Sequence, residues 1–284
     1  MTLRILLKGE AALWWRAAGA AGGPRRRKRC RREGCWRGSL SRSAAGVAAL
    51  LAAAAAAQAE EMSWRDVESR IQYAYYTEDA GALRNLDNAI AADASHDTLH
   101  GYYAALLAWR LALLTKQSTA TAPGTSAAQL AQRCVSEADA ALAAQADFAD
   151  ALALRAVCLE AGGAHTFAGY RAHKDLDRAL QLAADNPRVL LADAMSDYEL
   201  TPDRGGNKER ALGKLRRAVA AFEAERSGTE RLPGWGAAEA WLLLGADLLD
   251  HGDPVAARDA LEHALLLAPE FAQARRLMAK ITSG

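Results

Sequence analysis

Several chemistries are excluded by what this chain has little of. Only four cysteines occur in 284 residues, and none form a Cys-x2-Cys pair, which argues against a zinc site and against thioredoxin-like redox chemistry. Aromatic residues make up 6% of the chain, while alanine dominates a 51% hydrophobic composition. Alanine loses no side-chain entropy in a helix and lets helices approach closely, so the composition predicts an all-α protein. No segment reads as a strand, so no glycine-rich loop follows one. Gly205-Gly206 lacks the Lys-Ser/Thr ending of a phosphate-binding loop and reads as a turn. The apolar run from Ala44 to Ala57, about 14 residues, is too short to span a bilayer.

Positive charge is also missing from most of the chain. Residues 1–59 hold 12 Lys and Arg against 2 Asp and Glu, which leaves 23 of the 35 basic and 32 of the 34 acidic residues in the remainder. That body, at about −9, lacks the basic footprint that phosphate binding needs, so no nucleic-acid partner is expected.

The basic segment, Arg25-Arg26-Arg27-Lys28-Arg29 with Arg31, Arg32, Arg37 and Arg42, precedes the apolar run, which ends in Ala57-Gln58-Ala59. A basic region, a short apolar core and a small-x-small site are the three parts of a secretory signal. The expectation is cleavage after Ala59, with Ala57 and Ala59 as the site residues, and a mature protein that does not span the membrane and is periplasmic or secreted. Residues 1–38 are long for a signal's leading region, and translation starting downstream of Met1 would account for them. No cysteine follows the apolar core for lipid attachment, and the arginines lack the Arg-Arg-x-Phe-Leu context of a folded-protein export signal. Residues 1–59 are therefore read as a disordered, cleaved leader, and residues 60–284 as the folded domain.

Within that domain a repeated unit stands out. Trp241-x2-Leu244-Gly245-x2-Leu248, Gly252, Ala257-x3-Leu261-x2-Ala264 and Pro269 place large apolar residues on one helix face, small residues where two antiparallel helices touch, and a turn between them. These spacings resemble the tetratricopeptide repeat family, with Leu in place of Tyr and Phe at two large positions. Leu191-x2-Ala194-Met195-x2-Tyr198 with Ala211-x3-Leu215-x2-Ala218 repeats the unit with a longer turn from Thr201 to Lys208. Ala82-x3-Leu86-x2-Ala89, and Ala179 with Leu180 and Leu182, supply the second helices of earlier pairs. The resemblance spans about residues 63–282. It implies a right-handed solenoid of about five antiparallel helix pairs, near 63–93, 97–144, 148–184, 187–225 and 236–268, with a capping helix at 270–282. Asn186-Pro187-Arg188-Val189, the turn at Thr201-Pro202 and Pro233-Gly234-Trp235-Gly236 also resemble repeat proteins of bacterial envelopes, a likeness that implies architecture and no activity.

Catalytic and metal-binding arrangements are weak. His96 and His100 are four apart with Asp97 between, but no third ligand is evident and His96 reads as preceding its helix. His165, His173, Asp175 and Asp177 gather around the third pair without a nucleophile, and Ser196 and Ser227 lack a Gly-x-Ser-x-Gly elbow. No cofactor is expected. Cys134 and Cys158 fall on neighbouring helices of the second and third pairs. The residue type favours two buried thiols, while an oxidising compartment would permit a disulfide.

The leading expectation is a non-catalytic exported scaffold or adaptor that takes a protein or peptide partner in a concave groove. The repeat register directs Glu239, Leu242, Ala246 and Leu249, with Val189, Ala192, Ser196 and Glu199, toward that groove. None is Lys, Arg or Asn, so a clamp for a partner's C-terminal carboxylate is not expected. Two alternatives stay open: a helical-repeat enzyme whose site leaves no sequence trace, and a small-molecule or lipid-binding accessory of an envelope transport system.

Overall fold

The computed structural model describes residues 63–93, 97–117, 125–162, 166–226 and 232–283. The chain divides into two units, 1–59 and 60–284, and all described residues lie in the second. The leader, with Ala57 and Ala59, lies outside the described residues. Those residues form eleven α-helices and one short 3-10 turn. None of these helices is long and apolar enough to cross a membrane.

In chain order the helices are α1 (Trp64–Tyr76), α2 (Ala80–Ala92), α3 (Thr98–Gln117), α4 (Ala127–Ala144), α5 (Ala149–Ala161), α6 (Thr166–Leu182), α7 (Pro187–Glu199), α8 (Lys208–Arg226), α9 (Ala237–Asp250), α10 (Pro254–Leu267) and α11 (Ala272–Ser283). Their starts follow local chemistry. Asp79 accepts the Ala82 amide hydrogen to open α2, Ser126 and Gln129 form a reciprocal capping box on α4, and Asn186 caps α7 with Pro187 in its first turn. Asp253 and Pro254 open α10 in the same manner.

Consecutive helices pack as partners: α1 with α2, α3 with α4, α5 with α6, α7 with α8, and α9 with α10. First helices also meet across pairs, α1 on α3, α3 on α5 and α5 on α7, and α11 packs on α10. Small residues set the closest crossings. A β-carbon on Gly245 would lie 2.8 Å from Leu261 Cγ and 3.1 Å from the Ala257 carbonyl oxygen. Gly101 is tighter still against backbone, with Ala141 N at 2.8 Å and the Glu137 carbonyl oxygen at 3.0 Å. Ala156 with Ala172 and Ala194 with Ala211 are fully buried on the helices of the two middle pairs.

At the step from the fourth pair to the fifth, α9 packs on α8 and the segment Leu232–Gly236 enters the core. Trp235 is 7% exposed, its indole N–H donates to Tyr102 Oη at 2.7 Å, and its ring lies 5.6 Å from that of Trp109. Gly236 makes this entry feasible: its φ of +117° suits glycine, and a β-carbon there would meet Phe222 at 2.6 Å.

Candidate functional site

The positions that the repeat register turns inward are largely enclosed by the protein's own chain. Val189 is 0% and Leu242 3% exposed, and Ala192 is buried with them. Glu239 is 5% exposed and fully engaged: Arg110 on α3 forms an ion pair with Oε1, and Tyr76 on α1 donates to Oε2 at 2.8 Å. Ser196, Ala246 and Leu249 are half-buried, and Glu199 is exposed. The register thus identified inward-facing residues, but Val189, Glu239 and Leu242 line no open groove.

A belt of buried polar and aromatic groups takes the place of that groove. Arg110, 1% exposed, lies over the rings of Tyr75, Trp109 and Trp235 at 4.0, 4.5 and 4.9 Å, a setting that stabilises a desolvated guanidinium. Glu68 accepts the Tyr103 hydroxyl at 2.7 Å and the Gly234 amide at 3.0 Å. Burial pushes its carboxyl above the ordinary carboxylate range, against the hydrogen bonds from Gly234 and Tyr103. Arg188 donates to Asp150 at 2.8 Å and to the Trp235 carbonyl at 3.2 Å, and pairs with Glu225. The belt joins α1 and α3 to α9 and to the Trp235 segment, which makes it a structural element of the interior.

Of the catalytic candidates, His173 and Ser196 line one cleft, with no hydrogen bond between them among the described residues. Ser196 Oγ donates to Glu160 at 2.7 Å, so no imidazole activates it. Asp175 is held by Arg155 at 2.7 and 2.8 Å, and His173 faces Asp177 at 3.6 Å with its side chain 78% exposed. His100 contacts the Ile90 carbonyl oxygen at 3.0 Å, and Asp97 accepts its backbone amide at 2.7 Å. His96, His165 and Ser227 lie outside the described residues. Among the described residues no three His, Cys, Asp or Glu side chains are grouped to hold a metal ion. The Sγ atoms of Cys134 and Cys158 are bonded, with Cα atoms 6.0 Å apart, so the two-thiol state that the residue type favours is not the state in the structure. The bond ties α4 to α5, and with them the second pair to the third.

Several clefts are open among the described residues, and two of them are sizeable. One of ≈ 970 Å³ is floored by Asp150, Arg188 and Glu225 and walled by alanines of α8 with Leu232 and Pro233. Its charged floor is engaged internally, as described above. The other, of ≈ 850 Å³, lies where α5 and α6 face α7, the 3-10 turn and α8. Glu160, Tyr170, His173, Ser196, Arg204 and Gly205 are among its lining residues. Tyr170 is 66% exposed, and Phe167, one turn earlier on the same helix, is 78% exposed. Spacing of three along α6 puts Phe167, Tyr170 and His173 on one outward stripe. Solvent-exposed aromatics beside a concavity are a recognised mark of a binding surface. Phe167, Tyr170, Glu160 and Arg204 belong to no motif in the sequence, so no local signal points to them.

No family model matches the chain, and no curated protein sequence does so either. Among solved structures the fold is similar to the HusA haemophore from Porphyromonas gingivalis, at 19% sequence identity and a TM-score of 0.52, over 68% of this chain and 96% of that one. At that identity the similarity concerns the helical architecture.

Proposed function

We propose that this protein is an exported, non-catalytic binding protein of the cell envelope, built on tetratricopeptide-type helix pairs, and that it takes its ligand in the cleft between the third and fourth pairs. The observation that carries this reading is the contrast between an interior closed by Arg110, Glu239 and Trp235 and an open ≈ 850 Å³ cleft bordered by the exposed ring of Tyr170. The three-part leader at 25–59 supports export. Placing a photo-crosslinking residue at Tyr170, with Val255 (79% exposed on α10) as control, tests the cleft in envelope preparations. A ligand crosslinked at position 170 and not at 255 is expected. Equal labelling at both positions, or none at 170, removes the cleft from consideration.

A second reading is a carrier of a planar tetrapyrrole. It is favoured by the architectural likeness to a haemophore and by the combination of flat aromatic rings with an exposed imidazole, His173, along one wall. Titration with haemin followed by its Soret absorbance decides it. Binding that weakens in Tyr170→Ala and shifts spectrally in His173→Ala supports the carrier, and no binding at micromolar haemin rejects it.

A further inference from the structure

The cleft beside Tyr170 carries more information than its shape, because most of its charged lining is already neutralised by internal partners. Lys214 donates to Asp193 at 2.7 Å and pairs with Asp197 at 2.7 Å. Arg210 Nε donates to both Asp197 oxygens at 2.9 and 2.8 Å, and its Nη2 donates to the Gly205 carbonyl at 2.8 Å. Although burial opposes it, these donors hold the Asp197 carboxyl below the ordinary range. The four groups form a closed set that offers little to a ligand.

Three charges on the cleft lining, Glu160, Asp203 and Arg204, lack an ion-pair partner among the described residues, and Glu160 and Arg204 are of opposite sign. Glu160, half-buried at the end of α5, receives one hydrogen bond, from Ser196 to Oε1, and among the described residues no donor reaches its other oxygen. Burial raises its carboxyl above the ordinary range, and Arg204 opposes that shift through space. Arg204, at the end of the 3-10 turn on the cleft lining, is exposed and makes no side-chain hydrogen bond or ion pair among the described residues. The exposed Tyr170 ring lines the same cleft, with a face to offer to an apolar group or a cation. His173 lies one turn beyond Tyr170, and Asp203 adjoins Arg204 on the rim.

We infer that the cleft binds a zwitterionic peptide-like ligand, whose ammonium meets Glu160, whose apolar side chain lies on Tyr170 and whose carboxylate meets Arg204. This rests on the cleft reading above and names the ligand's chemistry. A volume of ≈ 850 Å³ accommodates several residues, so a short oligopeptide fits better than a single amino acid. Charge-assisted hydrogen bonds supply the selectivity, since a ligand lacking either charge leaves its partner group unmatched in a partly desolvated site.

The test is calorimetric titration of the mature chain with the tripeptide Phe-Ala-Ala in free, N-acetylated, C-amidated and doubly blocked forms. The free peptide binds, and each block weakens binding by roughly ten- to a hundredfold, the worth of one hydrogen bond to a charged group. In Glu160→Gln the N-acetyl block ceases to matter while the amide block still does. In Arg204→Met the pattern reverses. Misfolding of a variant produces no such crossed pattern, and circular dichroism of each variant checks for it. Equal binding of the free and doubly blocked peptides overturns the inference, as does failure of all four to bind at millimolar concentration. In either case, crosslinking at Tyr170 still reports whether the cleft is used, so the chemistry and the location fail separately.

Discussion

Three glycines in helices test the packing of the pairs with one added methyl group each. Glycine to alanine in a helix interior is worth about 1 kcal/mol in favour of alanine where nothing obstructs the new carbon. Gly213 on α8 has nothing within 4 Å of a β-carbon, so Gly213→Ala is expected to stabilise by about 0.5–1 kcal/mol. Gly101→Ala carries the same gain but places its carbon 2.8 Å from Ala141 N, 3.0 Å from the Glu137 oxygen and 3.2 Å from Ala141 Cα. All three are backbone atoms, so α4 must shift off α3, at an overpacking cost of about 1–3 kcal/mol that leaves a net loss of up to about 2 kcal/mol. Gly245→Ala is intermediate, because two of its three near contacts are Leu261 side-chain atoms at 2.8 and 3.1 Å and can rotate away. Gly245→Leu, in contrast, should cost about 1–3 kcal/mol. Urea titration followed by far-ultraviolet circular dichroism orders the midpoints Gly213→Ala above parent, then Gly245→Ala, then Gly101→Ala. A Gly101→Ala midpoint at or above that of Gly213→Ala would refute the α3–α4 crossing.

Replacing Cys134 and Cys158 together by alanine should cost about 3 kcal/mol, since the bond closes a loop of sequence separation 24; a urea midpoint unchanged from the oxidised parent would show that the bond contributes nothing. Stability should also fall as pH rises through the titration of His251, whose pKa is raised above 6.5, first by the Asp247 carbonyl it contacts. A group raised on folding stabilises fully below its unfolded pKa, and that contribution is lost as pH passes the folded value, so His251→Gln should flatten the decline above pH 6.5. Asp247, 0% exposed and raised by burial, has the same sign in the acid range; Asp247→Asn should remove a loss that begins near pH 3.8. N-terminal sequencing of the exported protein is expected to begin at Glu60, and a mature product that retains the arginine run would rule out the leader reading.

How much of this was legible in the sequence depended on whether the signal was local. The last pair was readable because Trp241, Leu244 and Leu248 alternate with small residues at helical steps, and Gly245 does meet α10. The caps at Asp79, Asn186 and Asp253 are likewise local. Gly101 was not recognised as a crossing residue, because α3 is buried on every side from Gly101 to Ala112. An apolar helix with no polar face has no periodicity from which to choose the contact. Trp235 reads as part of a turn, and its hydrogen bond to Tyr102 spans 133 positions, a distance over which local pattern carries no information. Arg110 in the run Leu106 to Leu114 signals a buried charge that needs a partner, but the sequence does not indicate that the partner is Glu239.

That same pair accounts for where a ligand can bind. Arg110 and Glu239 are 1% and 7% exposed at their side chains, and breaking a buried pair by removing one member typically costs about 3–5 kcal/mol, because the other charge is left uncompensated. A partner entering the interior would have to displace Tyr76 or Trp235 and strand Arg110, whose Nε already lacks a hydrogen-bond partner among the described residues. No such cost applies between the third and fourth pairs, where the cleft is open and the Tyr170 ring is already in solvent. In this chain the N-terminal helices and the Trp235 segment enclose Val189, Glu239 and Leu242, and the open cleft lies at the seam between the third and fourth pairs. Glu160 and Arg204 are uncommitted at that seam, so charge reversal of either should change ligand preference without loosening the fold, whereas charge reversal of Arg110 or Glu239 should unfold it.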